Sequence, residues 1–253
     1  MMKKIKELIQ FLFSLFGFRI LRINSIPYYS IPIEASENEK KIIKVAKQFS
    51  MTSEARMFSL TQAFKYVVQN QIQGDLVECG VWRGGNLILF AKLLEEYKIN
   101  KDIFGYDTFE GMSTPSRIDV NLKGKLAIDL LQKEKKNENL ENTMWAYSSI
   151  DSVKKNFNKS IKVNQKLNLI KGNIIDTLKV KENLPLKISI LRLDTDFYES
   201  TKIELEILFP LLSKGGVLIV DDYGQWFGAR KAVDEYFYKK RPWLHVVDQS
   251  CRI

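Results

Sequence analysis

From residue 75 onward, short apolar runs alternate with longer stretches of helical spacing. Residues 75–79, 102–107, 167–171, 188–193 and 217–220 are compact runs rich in Val, Ile and Leu. Runs of this length predict strands buried on both faces. Between them, 87–96, 149–157, 201–212 and 230–240 repeat apolar residues at helical intervals, and 244–247 reads as a late strand. Upstream, 39–49 and 59–70 have helical spacing, with Thr52 or Ser53 available as an N-cap. Residues 23–38 hold Pro27 and Pro32 and read as an extended connector. Strands alternating with helices predict an α/β fold, a mostly parallel central sheet with helices on both faces.

Two segments depart from that alternation. Residues 113–147 are polar and irregular and read as an insertion. Their apolar members Leu122, Leu126, Ile128, Leu130, Leu131, Met144 and Trp145 favour a lid over a loose surface loop. At the other end, residues 1–22 predict an amphipathic helix. Ile5, Leu8, Ile9, Leu12, Phe13, Phe16 and Ile20 share one face, widened by Phe11 and Leu15. The run is interrupted by Glu7 and Gln10, lacks a small-residue cleavage site, and is too short and polar for a comfortable membrane span. Two uses are open: peripheral contact with an anionic membrane, or packing on the protein's own core or on a second subunit. The chain thus divides into an amphipathic helix (1–22), a connector and helix (23–50), and a main domain (51–253) carrying the insertion 113–147.

The 253 residues, 45% of them hydrophobic, supply one sizeable core. The net charge of +9 raises nucleic acid, membrane or acidic substrates as partners. The lysines are scattered, however, with short clusters only at 133–136 and 239–241, and no nucleic-acid-binding signature is present; no nucleic-acid partner is expected. The two cysteines, Cys79 and Cys251, make no disulfide framework, so a cytoplasmic location is expected, at the inner face of the membrane if the first helix binds lipid.

The alternation places chemistry at the carboxyl ends of the strands, where open α/β sheets bind ligands. The first strand ends in Glu78-Cys79-Gly80-Val81-Trp82-Arg83-Gly84-Gly85-Asn86. Glycines here let backbone approach a ligand, and the following helix offers free N–H groups to a carboxylate. The spacing is neither G-x-G-x-x-G nor a P-loop. Asp107 closes the second strand, where an acid can accept both hydroxyls of a ribose. Asp194, Asp196, Asp221 and Asp222 end two later strands. Four like charges so placed need compensation, and a divalent cation supplies it. Oxygen ligands favour Mg²⁺ or Ca²⁺ over zinc. For any single aspartate, helix capping or turn chemistry is an equally good explanation. The one histidine, His245, sits beside Trp243 in an apolar segment and reads as structural, so no Ser/His/Asp triad can be assembled.

Four segments, in order, resemble the macrocin O-methyltransferase (TylF-like) family: residues 76–85, 106–112, 193–201 and 215–223. They read Leu-Val-Glu-Cys-Gly-Val-Trp-Arg-Gly-Gly, Tyr-Asp-Thr-Phe-Glu-Gly-Met, Leu-Asp-Thr-Asp-Phe-Tyr-Glu-Ser-Thr and Gly-Gly-Val-Leu-Ile-Val-Asp-Asp-Tyr. Met51-Thr52-Ser53 and residues 228–235 match as well. The resemblance runs from about residue 50 to the C-terminus. It implies a Rossmann-like class I methyltransferase fold and S-adenosyl-L-methionine-dependent, Mg²⁺-assisted methyl transfer to a hydroxyl of a sugar or glycosylated substrate.

On that resemblance Glu78, Cys79, Gly80 and the Arg83-Gly84-Gly85-Asn86 turn would hold the methionine end of the cofactor, with Asp194 beside it. Asp107 and Thr108 would meet the ribose, and Gly172-Asn173-Ile174 would approach the adenine. Met51, Thr52, Ser53 and Arg56 would close over the cofactor. Asp194, Asp221 and Asp222 would be metal ligands and Asp196 the general base. Expected partners are a small-molecule or lipid-linked sugar acceptor, with surface-glycan biosynthesis as a candidate setting, and a second copy in a homodimer. Alternatives are a catechol-like acceptor, or a non-catalytic module binding an adenosine ligand.

Overall fold

A computed structural model describes residues 2–18, 31–134 and 144–253. Helix α1 spans Met2–Leu15 and α2 Glu37–Lys47; α2 starts on a capping box in which Ser36 and Glu39 satisfy each other's backbone N–H groups. Helix α3 runs Glu54–Gln69 from the N-cap Ser53, so the predicted helix gains a turn at its start. The core then alternates: β1 (Asp75–Cys79), α4 (Gly85–Tyr97), β2 (Ile103–Asp107), α5 (Ala127–Glu134), α6 (Ile150–Ser160), β3 (Leu167–Lys171), α7 (Ile174–Thr177), β4 (Ile188–Leu193), α8 (Tyr198–Ile207), β5 (Leu212–Val220) and α9 (Phe227–Tyr236).

The five strands are parallel, in the order β3-β2-β1-β4-β5. The order reverses between β1 and β4, and that switch point opens a crevice at the strands' carboxyl ends. Strand alternation sorts the core into two layers. Leu76, Ile190 and Ile219 join α2, α3 and α4 on one face. Val77, Cys79, Leu191, Leu193 and Val220 join α7, α8 and α9 on the other.

Three predicted elements are corrected. The final helix is Phe227–Tyr236, displaced toward the N-terminus from 230–240. The helix expected over 201–212 is Tyr198–Ile207, and a 3₁₀ turn at Phe209–Leu211, holding Pro210, feeds β5 from Leu212. The stretch 244–247 forms no strand of the sheet. It folds back on residues 251–253, and Arg252 makes single bridges to Val246 and to Val220.

The described part of the insertion packs over the domain as a cap. Helix α5, from within the stretch read as irregular, joins Met112, Met144 and Trp145 in a third apolar cluster against Phe197, Trp226 and Ala229. Buried Asp119 ties it down: Oδ1 accepts the Tyr198 N–H at 2.8 Å, and Oδ2 accepts the Ser116 N–H and hydroxyl. A Cβ on Gly228 would stand 1.9 Å from Asp119 Oδ1, so only glycine admits that contact. Residues 135–143 of the insertion, and 19–30, which hold the end of the expected N-terminal helix and most of the expected connector, lie outside the described residues; the helix expected over 1–22 ends at Leu15 and gives way to a turn at 16–17.

Candidate active site

A cavity of about 620 Å³ opens at the switch point. Its floor is the end of β1, its walls are the loop 50–56 and the turns after β4 and β5, and its roof is the insertion, through Asn121, Leu130, Met144 and Ala146. A smaller cavity adjoins it, lined by Asp107, Thr108, Gly172, Asn173 and Ile174. The residues expected at the ribose and adenine therefore do meet, as do Glu78, Gly80 and Asn86 of the expected methionine end and the acids expected at the metal.

Register explains the arrangement. Glu78 on β1 pairs with Arg192 on β4, and Asp221 follows Ile219-Val220 on β5. All three side chains project to the α3 face. The buried Arg192 guanidinium donates to Glu78 Oε1 at 2.6 Å, Asp194 Oδ2 at 2.7 Å, Asp221 Oδ1 at 2.7 Å and Thr52 Oγ1 at 3.0 Å. Arg56 adds a second cation, paired with Asp221 and with Asp248, the latter at 2.6 Å. Arginine thus neutralises part of the charge that sequence reasoning assigned to a divalent ion alone. Neither Arg192 nor Asp248 was singled out there. The available signal for Arg192 was a lone cation inside the apolar run Ile-Ser-Ile-Leu-Arg-Leu, two residues before Asp194.

Two acids of this network also converge with a third, Asp222. One carboxylate oxygen from each of Asp194, Asp221 and Asp222 lies within 4.8 Å of the others. Asp222 Oδ2 is buried without a hydrogen-bond partner. Hard oxygen donors this close, one of them orphaned, fit Mg²⁺. Asp221 already serves both arginines, so it would reach an ion through its remaining lone pairs. Asp196 adopts φ 66°, in the left-handed region, at the turn after β4. That turn is pinned by the Thr195 hydroxyl on Glu204 and the Ser200 hydroxyl on the Thr195 and Phe197 carbonyls. Burial, reinforced by neighbouring negative charge, pushes Asp194 up to about 8 in spite of Arg192. Asp196 rises to about 6, again mainly through burial, with Asp222 and the Trp226 indole restraining the shift.

At the cofactor end, Glu78 Oε2 and Asn86 Oδ1 are buried acceptors without hydrogen-bond partners, while Asn86 Nδ2 bridges Glu78 and Thr52. Burial holds Glu78 up at about 7 against the pull of Arg192. Asp107 lies between the two cavities. Its Oδ2 accepts the N–H groups of Val81 and Trp82, and its Oδ1 that of Phe109. Met51, Thr52 and Ser53 line the larger cavity; Ser53 also caps α3.

Several expected cofactor contacts are corrected. Cys79 is fully buried in the opposite core layer, because the residue after cavity-facing Glu78 must point the other way. Gly85 packs on α2 instead: a Cβ there would meet Ser50 Cβ at 2.4 Å and the Ala46 carbonyl at 2.7 Å. Gly84 faces Val153 of α6, and Arg83 lies over the Trp82 ring; neither lines the cavity. Arg56 lines it, with its guanidinium paired to Asp221 and Asp248. Gly80 does mark a close approach, with a built Cβ only 2.0 Å from the Asp194 carbonyl. The cavity residues Asn121, Gln225 and Trp226 lie outside the expected set. His245 is exposed and stacks edge-on against Trp243, away from this chemistry.

Comparison with known proteins decides the family. Residues 32–251 match the model of the macrocin-O-methyltransferase (TylF) family. The chain belongs to that family. It is similar to demethyldecarbamoylnovobiocin O-methyltransferase of Streptomyces niveus, 32% identical over 193 residues, which span 76% of this chain and 68% of that one. It is also similar to the 8-demethyl-8-(2,3-dimethoxy-alpha-L-rhamnosyl)-tetracenomycin-C 4'-O-methyltransferase of Streptomyces olivaceus, 30% identical over 74% of this chain and 67% of that one. The solved structure of the O-methyltransferase NovP superposes with a TM-score of 0.68 at 27% identity, over 81% of this chain and 80% of that chain. The fold is that of a Rossmann-like methyltransferase, and the chain is an O-methyltransferase; the non-catalytic reading falls.

Proposed function

We propose that the chain transfers a methyl group from S-adenosyl-L-methionine to a hydroxyl of a sugar or glycosylated acceptor, with Mg²⁺ held by Asp194, Asp221 and Asp222. The observation that carries this reading is the convergence of those three carboxylates with Asp196 on one wall of a cavity whose far end is built for a nucleoside amino acid. The orphaned Glu78 Oε2 and Asn86 Oδ1 suit a cofactor ammonium group. Asp107, which already accepts three backbone N–H groups, would meet a ribose hydroxyl through its one remaining lone pair, and Thr108 with Gly172-Asn173-Ile174 lines the space for the base.

The acceptor half is amphipathic: Trp226, Met112 and Leu130 offer apolar faces, and Asn121 and Gln225 offer amides. A sugar ring, apolar on its C–H face and polar at its edge, matches that lining. The tetracenomycin relative, named for a rhamnosyl-bearing substrate, supports the same class. Asp194, Asp221 and Asp222 would hold the ion, which would supply positive charge to lower the pKa of an acceptor hydroxyl. Asp196 then takes the hydroxyl proton as general base. Burial raises its pKa and so makes its carboxylate a stronger base than an exposed aspartate. The insertion excludes water, and the walls hold the two reactants in line.

The test is methyl transfer from labelled cofactor to a panel of sugar nucleotides, deoxysugar glycosides and catechols, with Mg²⁺ or with chelator. The expected outcome is transfer to a glycosyl hydroxyl, lost on chelation. Asp196→Asn should lower kcat by about 10²–10⁴-fold while S-adenosylhomocysteine still binds. Transfer to catechols alone would move the reading to that acceptor class, and full activity in Asp196→Asn would remove the base.

A further inference from the structure

Helix α1 is the largest feature the chemistry leaves unused. Ile9, Phe11, Leu12, Phe13, Leu15 and Phe16 are between 42% and 78% exposed, and Phe18 just beyond is exposed as well. A soluble surface rarely leaves so many large apolar groups together unless something covers them. The sequence around them is basic: Lys3, Lys4, Lys6, Arg19 and Arg22 against Glu7 alone. Among the described residues no helix is long and apolar enough to cross a membrane. With 14 residues, α1 is only about 21 Å long.

A second surface, far away in sequence, has the same composition. After α9, Tyr238 and Trp243 are each 87% exposed, and Lys239, Lys240 and Arg241 between them are exposed too. Aromatic rings with a polar edge, interleaved with cations, are the side chains that settle at the headgroup level of a bilayer. Lysine, in contrast, is depleted from interfaces between protein chains. The helix points the same way. Its periodicity gathers Lys3, Lys6, Glu7, Gln10 and Ser14 on one side, with Lys4 alone falling within an apolar arc wider than the stripe a helix buries against a protein core.

We propose that this O-methyltransferase docks peripherally on an anionic bilayer. Helix α1 lies in the interface with its apolar arc toward the acyl chains, and the aromatic–basic knuckle 238–243 makes a second contact. The attraction has an electrostatic part and weakens with salt. The inference goes beyond the proposed reaction and does not depend on it, although a surface-bound enzyme suits a lipid-linked acceptor.

Flotation of the full chain with two kinds of vesicle tests it: phosphatidylcholine alone, and phosphatidylcholine mixed equally with phosphatidylglycerol. The chain should float with the anionic vesicles, poorly with the neutral ones, and less at high salt. Leu12→Glu with Phe16→Glu should reduce flotation by at least about tenfold, and Tyr238→Ser with Trp243→Ser by a smaller factor. All four positions are solvent-exposed, so thermal unfolding and S-adenosylhomocysteine affinity should stay at the parent values. Equal flotation of parent and helix variant would overturn the proposal, as would a parent that stays in the bottom fraction. Light scattering separates the rival occupant: a parent dimer that becomes a monomer in the helix variant, with no vesicle binding, would assign the face to a second copy. Cofactor binding measured on the same samples keeps failure here distinct from failure of the proposed reaction.

Discussion

Arg192 is where the two halves of the site are joined. Its guanidinium touches Glu78 at the cofactor end and Asp194 and Asp221 at the metal end, and it is fully enclosed. Removing one partner of a buried charge network leaves the others uncompensated, at a cost of about 3–5 kcal/mol. Arg192→Met should therefore lower the urea midpoint sharply. Arg56→Met, at a position 18% exposed, should lower it less. An Arg192→Met chain that unfolds at the parent midpoint would remove the joining role. The acids of this network were legible in the sequence because each stands at the end of an apolar run. The arginine was harder to read: one cation within an apolar strand gains its meaning only from the register that sets it beside Glu78. The glycines failed for a related reason. Gly80, Gly84 and Gly85 look alike in a turn, but only the tertiary position of α2 shows that Gly85 makes room for Ser50 and Ala46 and none for a ligand.

Among the elements, the insertion supplies the cavity with Asn121, Leu130, Met144 and Ala146. Helix α5 is only eight residues long, and the Lys/Asn/Glu-rich stretch after it masked its periodicity in the sequence. What orders it is tertiary: Leu131 and Ala127 pack with Phe197 and Trp226, and Asp119 anchors the start of α8. Leu131→Ala should open a void under the roof and cost about 2–5 kcal/mol if the cap unfolds with the domain. Because the roof also lines the acceptor half of the cavity, that substitution should raise KM for the acceptor more than KM for S-adenosyl-L-methionine. Steady-state kinetics with each substrate varied in turn checks this, and equal effects on both would place the insertion elsewhere in the cycle. The strands and their order needed none of this help, since continuous runs of Val, Ile and Leu can be satisfied only inside a doubly covered parallel sheet.

For the molecule as a whole, the crowded carboxylates make stability depend on pH and metal together. Burial raises the pKa of Asp194 to about 8 and of Asp196 to about 6, and also raises Asp222. Between roughly pH 4 and pH 8 the metal-free folded state thus binds more protons than the unfolded chain, and its stability falls as pH rises. Acids with lowered pKa, such as Glu39 and Asp248, act in the opposite sense only below that window. The thermal midpoint of chelated protein should fall from pH 5 to pH 8, and the gain on adding Mg²⁺ should grow over the same range; a flat profile would contradict the linkage. The most direct measurement is a calorimetric titration of Mg²⁺ into protein saturated with S-adenosylhomocysteine, compared with the double variant Asp194→Asn, Asp222→Asn. One Mg²⁺ per chain is expected in the parent and none in the variant, with S-adenosylhomocysteine still bound by both. Equal Mg²⁺ binding by the two, or none by the parent, would contradict a metal centre on these carboxylates.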